Sequence, residues 1–224
     1  KFIECLSIQS NGLIVVGGFT TSGTTTNALI LRYLSKGTLD LSFGSSANGK
    51  MIVPLKDCSS AVSSISVLLG GKIVACGTCS GATGDRFFVL QLLSNGHLDE
   101  TFANSGIFLS SSDLGKAESL TIDSQGKIVV AGYGVSDNKA NVILLRLLPG
   151  GELDTSFGLD GIVIGASTLN EMATDVVITK SNEIVATGQV TMSGGKTDNI
   201  IVYPRDNFSF RKIIKALKRK AIFY

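Results

Sequence analysis

The sequence predicts an all-β fold, a β-propeller-type array of about four blade-like repeats, the last incomplete, with a short basic C-terminal helix. Three observations predict it. First, one stretch occurs three times: NVILLRLLPGGELDTSFGLDG at Asn141–Gly161, NALILRYLSKGTLDLSFGSSANG at Asn27–Gly49 and DRFFVLQLLSNGHLDETFANSG at Asp85–Gly106. Second, an Ile-Val run ending in glycine recurs four times. It starts at Ile14, Ile73, Ile128 and Ile184, spaced 59, 55 and 56 residues, and closes at Gly18, Gly77, Gly132 and Gly188. Third, each period has room for four short strands with turn residues between them, which is the make-up of a propeller blade. A single blade cannot bury both of its faces, so the repeats must stack on one another.

The third repeat justifies each element in order. Ala117–Ile122 alternates small or apolar with polar residues and reads as a strand. Asp123-Ser-Gln-Gly126 is a turn, and Lys127–Ala131 is a β-branched second strand. Gly132–Ala140 reads as a polar loop. Val142–Leu148 is a third strand, apolar on both faces except at Arg146, as expected of a strand packed on two sides. Pro149-Gly-Gly151 turns the chain, and Gly161–Ile164 gives a short fourth strand. The repeats therefore fall at about 2–53, 61–109, 117–165 and 172–203. The fourth lacks the Leu-Asp loop, and Pro204 removes a ladder donor where the pattern stops. The loops Thr20–Thr26, Ser80–Gly84, Val135–Lys139 and Thr191–Lys196 differ between repeats and are the expected partner-facing segments.

Gly126-Lys-Ile-Val-Val-Ala-Gly132 and Leu153-Asp-Thr-Ser-Phe-Gly-Leu-Asp-Gly161 resemble the delta-60 repeat family, and the likeness spans about residues 2–203. The resemblance implies a propeller-like array on a secreted or cell-surface protein. It implies no defined activity.

Length and charge narrow the function. The formal net charge of the 224 residues is +2. Residues 205–224 carry seven basic and one acidic residue, so the array itself is mildly acidic. Ile213, Ile214, Leu217 and Ala221 fall at helical spacing among lysines and arginines. This tail, 204–224, is expected to be a basic amphipathic helix able to contact acidic surfaces. No apolar run reaches the roughly 18 residues of a membrane-spanning helix. The chain opens at Lys1 inside a strand, as after removal of a leader or within a longer protein. Cys5, Cys58, Cys76 and Cys79 read as buried or edge thiols. Left unpaired, they lean toward a reducing compartment, against the surface location that the resemblance implies.

The candidate residues divide into a signature and a ligand face. Asp40, Asp99 and Asp154, each three residues before Phe43, Phe102 and Phe157, supply one carboxylate per loop. Calcium wants six to eight oxygens, roughly, and commonly several carboxylates. An Asx turn anchored by a buried phenylalanine is the expected role. Arg32, Gln91 and Arg146 share one register position on the third strand. They are either a face for an anionic ligand or partners of loop aspartates. His97, the only histidine, sits in a turn, and no nucleophile elbow or phosphate loop occurs. The expectation is a non-catalytic binding or scaffold module without metal or cofactor. Its partner is a protein or a glycan, not a specific nucleic acid, and an open array can self-associate. The alternatives are a carbohydrate-active hydrolase or lyase carried on a propeller, and a fragment of a longer repeat protein without independent function.

Overall fold

The computed structural model describes residues 1–111, 114–136, 138–192, 194–206 and 209–215, from 203 onward as backbone. The described chain is all β, in four antiparallel sheets of four strands. Blade 1 holds β1 (Phe2–Ile8), β2 (Ile14–Ser22), β3 (Thr25–Tyr33) and β4 (Lys50–Val53). Blade 2 holds β5 (Cys58–Val67), β6 (Ile73–Gly81), β7 (Gly84–Leu92) and β8 (Ile107–Leu109). Blade 3 holds β9 (Lys116–Ile122), β10 (Ile128–Ser136), β11 (Lys139–Leu147) and β12 (Ile162–Ile164). Blade 4 holds β13 (Asn170–Ile178), β14 (Ile184–Thr191), β15 (Thr197–Asp206) and β16 (Ser209–Lys215). In every blade each strand pairs with the next in sequence.

Two expectations about segment ends are corrected. The loops around Thr20–Thr26, Ser80–Gly84 and Val135–Lys139 are strand ends and tight hairpin tips. Ser22 pairs with Thr25, Gly81 with Gly84 and Ser136 with Lys139. The polar composition that suggested loops belongs to the solvent-facing ends of paired strands. The second correction is at the C-terminus. Residues 211–215 of the expected helix, with Ser209 and Phe210, form β16, antiparallel to β15. The edge of β15 offers unpaired backbone groups, and the β-branched pair Ile213–Ile214 satisfies a strand better than a helix. Blade 4 therefore has its fourth strand and lacks only the Leu-Asp loop. The remainder of the expected helix, residues 216–224, lies outside the described residues.

Blades stack through a repeated pattern of apolar faces. Val62 and Ile65 of β5 pack on Val15, Ala28 and Ile30 of blade 1 in one buried cluster. Ala117 and Leu120 of β9 pack on Val74, Phe87 and Val89 of blade 2. Ala173 and Val176 of β13 pack on Val129, Val142 and Leu144 of blade 3. A fourth cluster, Val16, Leu29 and Leu31, is drawn from blade 1 itself. In β1 the apolar row that the later blades bury stays open: Ile3 and Leu6 are 48% and 64% exposed.

The first strand of every blade carries a bulge at the same place. The extra residue is Glu4, Ser63, Glu118 or Thr174. The bulge pushes a carbonyl of the first strand onto the closing glycine of the second strand. A Cβ at Gly18, Gly77, Gly132 or Gly188 would collide with the carbonyl oxygen of Phe2, Ala61, Lys116 or Met172, respectively. The recurrence of these glycines is thus a matter of space: their φ values are not in the left-handed region. Gly132→Ala must push β9 off β10 and should cost about 1–3 kcal/mol, by analogy with overpacking. Thermal unfolding checks this; an unchanged midpoint would refute the close-approach reading.

Cys58 and Cys79 form a disulfide across β5 and β6, with Cα atoms 5.5 Å apart. This corrects the reading of four unpaired thiols. The two cysteines lie 21 residues apart in sequence, but Cys79 stands opposite Ser60 and Cys58 opposite Gly81, a diagonal pair that pairing register creates. Cys76, three residues before Cys79, is buried and free, and the half-buried Cys5 is also free. Residues an odd number apart along a strand point to opposite faces of the sheet, so Cys76 and Cys79 point away from each other. Burial pushes the Cys5 thiol up to about 12 and the Cys76 thiol higher still. Both stay protonated and unreactive at neutral pH.

Candidate functional site

The signature loop forms a latch at one end of each of the first three blades. After β3, Asp40 Oδ1 accepts hydrogen bonds from the Ser42 backbone N–H at 3.1 Å and from Ser42 Oγ at 2.6 Å. Its Oδ2 accepts one from Arg32 Nε at 2.7 Å. Asp99 repeats this with Thr101 and Gln91 Nε2, and Asp154 with Ser156 and Arg146 Nε. Two lysines that close the turns before β6 and β10 complete the latch. Lys72 Nζ lies 2.6 Å from Asp99 Oδ2, and Lys127 Nζ lies 2.8 Å from Asp154 Oδ2. The three aspartates are buried, and their oxygens are occupied by protein donors.

The phenylalanines join this clamp to the next blade. Phe43 and Phe102 are fully buried, and each lies against a glycine of the neighbouring turn. A Cβ on Gly96 would sit 2.6 Å from the Phe43 ring and from the Gly44 nitrogen. Gly151 meets Phe102 and Ala103 in the same way. Both glycines have left-handed φ, 88° and 94°, so shape and backbone demand glycine together. The Gly44 amide donates to the Asn95 carbonyl at 2.9 Å, and the Ala103 amide to the Gly150 carbonyl at 2.6 Å. Arg32 adds a hydrogen bond from Nη1 to the Ser94 carbonyl and lies over the Phe43 ring at 4.6 Å. Arg146 lies over Phe157 at 4.4 Å. Burying each phenylalanine contributes about 1.5–3 kcal/mol.

Arg32, Gln91 and Arg146 are engaged within the latches. Each is held by the aspartate of its own blade. Gly18, Gly77, Gly132 and Gly188 lie beneath the bulges. His97 is exposed in the turn after β7. Among the described residues, no three His, Cys, Asp or Glu side chains stand together as a metal-holding group.

The latch fixes the electrostatics. Hydrogen bonds from Ser42 hold the Asp40 carboxyl below the ordinary carboxylate range, against desolvation and with help from Arg32. Lys72, then Thr101, hold Asp99 well below it. At Asp154 burial pushes upward most strongly, yet Lys127, Ser156 and Arg146 together bring it well below the usual value. A folded pKa below the unfolded one gives stability that is present above about pH 4 and is lost as pH falls through the folded value.

Two places depart from the repeat. The first is a cavity of about 540 Å³ at the latch end, between blades 1 and 2. It is walled by the turns Gln9–Asn11 and Leu68–Gly71, with Leu13, Arg32 and Ser94. The five-residue turn recurs: the amides of Gln9, Leu68, Asp123 and Thr179 donate to the carbonyls of Leu13, Lys72, Lys127 and Glu183. Blade 1 thus has Leu13 where blades 2 and 3 have the latch lysine. Gln9 does not cap its own turn, as Asp123 and Thr179 do. It crosses to blade 2, donating from Nε2 to the Gly71 carbonyl at 3.2 Å. That carbonyl can only accept, which fixes the orientation of the amide and leaves the buried Gln9 Oε1 without a hydrogen-bond partner. Such an orphan costs about 1–3 kcal/mol. The second place is a cleft of about 290 Å³ between the first strands, where Glu4, Ser63, Lys116 and Glu118 meet. Burial raises the Glu118 carboxyl above its ordinary value, opposed by Lys116 and aided by Glu4.

Sequence reasoning singled out the aspartates, phenylalanines and glycines, and missed Gln9, the latch lysines and the bulge glutamates. The signal for the first two was present: Leu13 breaks a column that reads Lys72 and Lys127.

With this geometry in view, the comparisons are direct. Residues 9–43, 71–102 and 124–157 match the family described as "Domain of unknown function (DUF5122) beta-propeller". Each match runs from the turn before the second strand to the latch phenylalanine. Fold and matches define a β-propeller-type repeat domain. No curated protein is significantly similar in sequence. Among solved structures, the crystal structure of a protein of unknown function from Dyadobacter fermentans superposes with a TM-score of 0.56 at 13% identity. It covers 93% of this chain and 67% of its own. That likeness concerns the fold alone.

Asp154→Ala strands Lys127 and Arg146 beside a buried loop and should cost about 2–3 kcal/mol at pH 7. The loss should shrink as the pH is lowered below about 4, where the carboxylate of the unfolded chain begins to protonate while the folded one is still ionised. Urea titrations of both proteins between pH 7 and pH 3 check this. A loss that stays constant across that range would contradict the latch.

Proposed function

We propose that the chain is a non-catalytic binding module, built from delta-60-type repeats and working on a secreted or cell-surface protein. One observation carries this reading: the recurring charged residues are engaged in holding blades together, while the features that differ between blades gather at cavities and clefts. Asp40, Asp99, Asp154, Arg32, Gln91 and Arg146 are all hydrogen-bonded within the latches. Recognition then falls to the places where the repeat is broken. The Cys58–Cys79 disulfide supports an oxidising compartment, since such bonds persist in secreted proteins and are rare in the cytosol. Among the described residues no helix is long and apolar enough to cross a membrane.

The partner is a protein or a glycan. A second reading, a hydrolase or lyase acting on carbohydrate, draws on Glu118. Its raised pKa beside Glu4 is the environment of a general acid facing a second carboxylate. A glycan array followed by product analysis separates the two. Saturable binding with the glycan recovered intact is the expected outcome. Cleaved product that disappears in Glu118→Gln would replace the module with the enzyme.

A further inference from the structure

We propose that the cavity between blades 1 and 2 binds a neutral sugar unit, a pyranose ring at the end of a glycan, held by Gln9 and Arg32. The inference rests on the binding-module reading and assigns it a place.

Three features define what the cavity accepts. Gln9 Oε1 is a buried acceptor without a partner, so the ligand brings a donor. Arg32 uses Nε for Asp40 and Nη1 for the Ser94 carbonyl. Its Nη2 has no protein acceptor among the described residues, so the ligand brings an acceptor. The Arg32 charge is balanced by Asp40 at 2.7 Å, so nothing calls for an anion. The remaining wall is mixed: Leu13, Val67 and Leu68 offer an apolar strip beside Ser10, Asn11 and Ser94, with the fully exposed Leu69 at the rim.

Adjacent hydroxyls on a sugar ring match this set. One donates to Gln9 Oε1, its neighbour accepts from Arg32, and the C–H face of the ring lies on the leucines. The cavity volume is within the range of small-ligand sites, roughly 300–1,000 Å³. Its origin is local. In blades 2 and 3 a lysine stem occupies the corresponding place on its way to the aspartate. In blade 1 Leu13 stops short and leaves the room. A ligand donor at this place satisfies the orphaned acceptor and removes its cost.

The test is isothermal titration of the whole chain with a set of neutral disaccharides (maltose, cellobiose, lactose and chitobiose) alongside N-acetyl-glycinamide as a peptide-like probe. The wild type should bind at least one disaccharide saturably. Gln9→Leu should weaken that binding at least tenfold while its melting temperature stays nearly level, because loss of the Nε2 bond to Gly71 is offset by removal of the orphan. Leu13→Lys, which restores the latch lysine, should abolish binding in a fully folded protein. A lowered melting temperature in Gln9→Leu with affinity unchanged would make Gln9 structural and overturn the proposal. Preference for N-acetyl-glycinamide, or no disaccharide binding by the wild type, would overturn it as well. If the array identifies a glycan whose binding ignores both substitutions, the module survives and this site falls.

Discussion

Each signature aspartate gathers hydrogen bonds from a hydroxyl, a backbone amide and a strand side chain, and in two blades from a lysine too. The rest of the structure depends on this clamp because a blade has two apolar faces and cannot stand alone. The clamp fixes the loop that carries Phe43, Phe102 or Phe157, and Phe43 and Phe102 reach into the glycine turn of the next blade. Local polar satisfaction is thereby converted into long-range order between repeats about 56 residues apart. The same economy appears at the first strands, where Ser119 Oγ of β9 donates to Asp175 Oδ1 of β13 at 2.7 Å across blades 3 and 4. Between blades 1 and 2, Ser60 Oγ of β5 accepts the Ala28 amide of β3.

A scaffold held in this way separates stability from recognition. The residues that repeat are committed to packing, so a change at any of them is a change in fold stability. The residues that break the repeat, Gln9 and Leu13 at one end and Glu4 with Glu118 between the first strands, are free to carry chemistry. The bulge contributes to the second group. It adds one residue to each first strand and turns Glu4 and Glu118 toward the cleft, and it forces glycine at position 18 and its equivalents.

Much of the fold was legible because the repeat printed it three times over. The Ile-Val-glycine run gave the second strand, and the apolar run through Arg146 gave the third. The Leu-Asp-x-Ser-Phe stretch located the latch. Pairing register was not legible, and three findings depend on it. The Cys58–Cys79 bond joins positions that become diagonal neighbours only when β5 and β6 pair with one bulge. Residues 211–215 carry a helical spacing that the open edge of β15 overrides. Gln9 looks like an ordinary turn residue until blade 2 brings the Gly71 carbonyl to it. In each case the deciding neighbour lies in another strand, where local periodicity carries no information.

The claim that latches couple the blades is tested most directly by native-state amide hydrogen exchange, read residue by residue. Gly44 and Ala103 donate across the two blade junctions at 2.9 and 2.6 Å. If the latches make the blades one cooperative unit, these two amides will exchange with the same opening free energy as the buried strand amides of Val74 and Val130 on either side. If Gly44 and Ala103 exchange rapidly while those strands stay protected, each blade is held by its own sheet, and the latch is not what joins them.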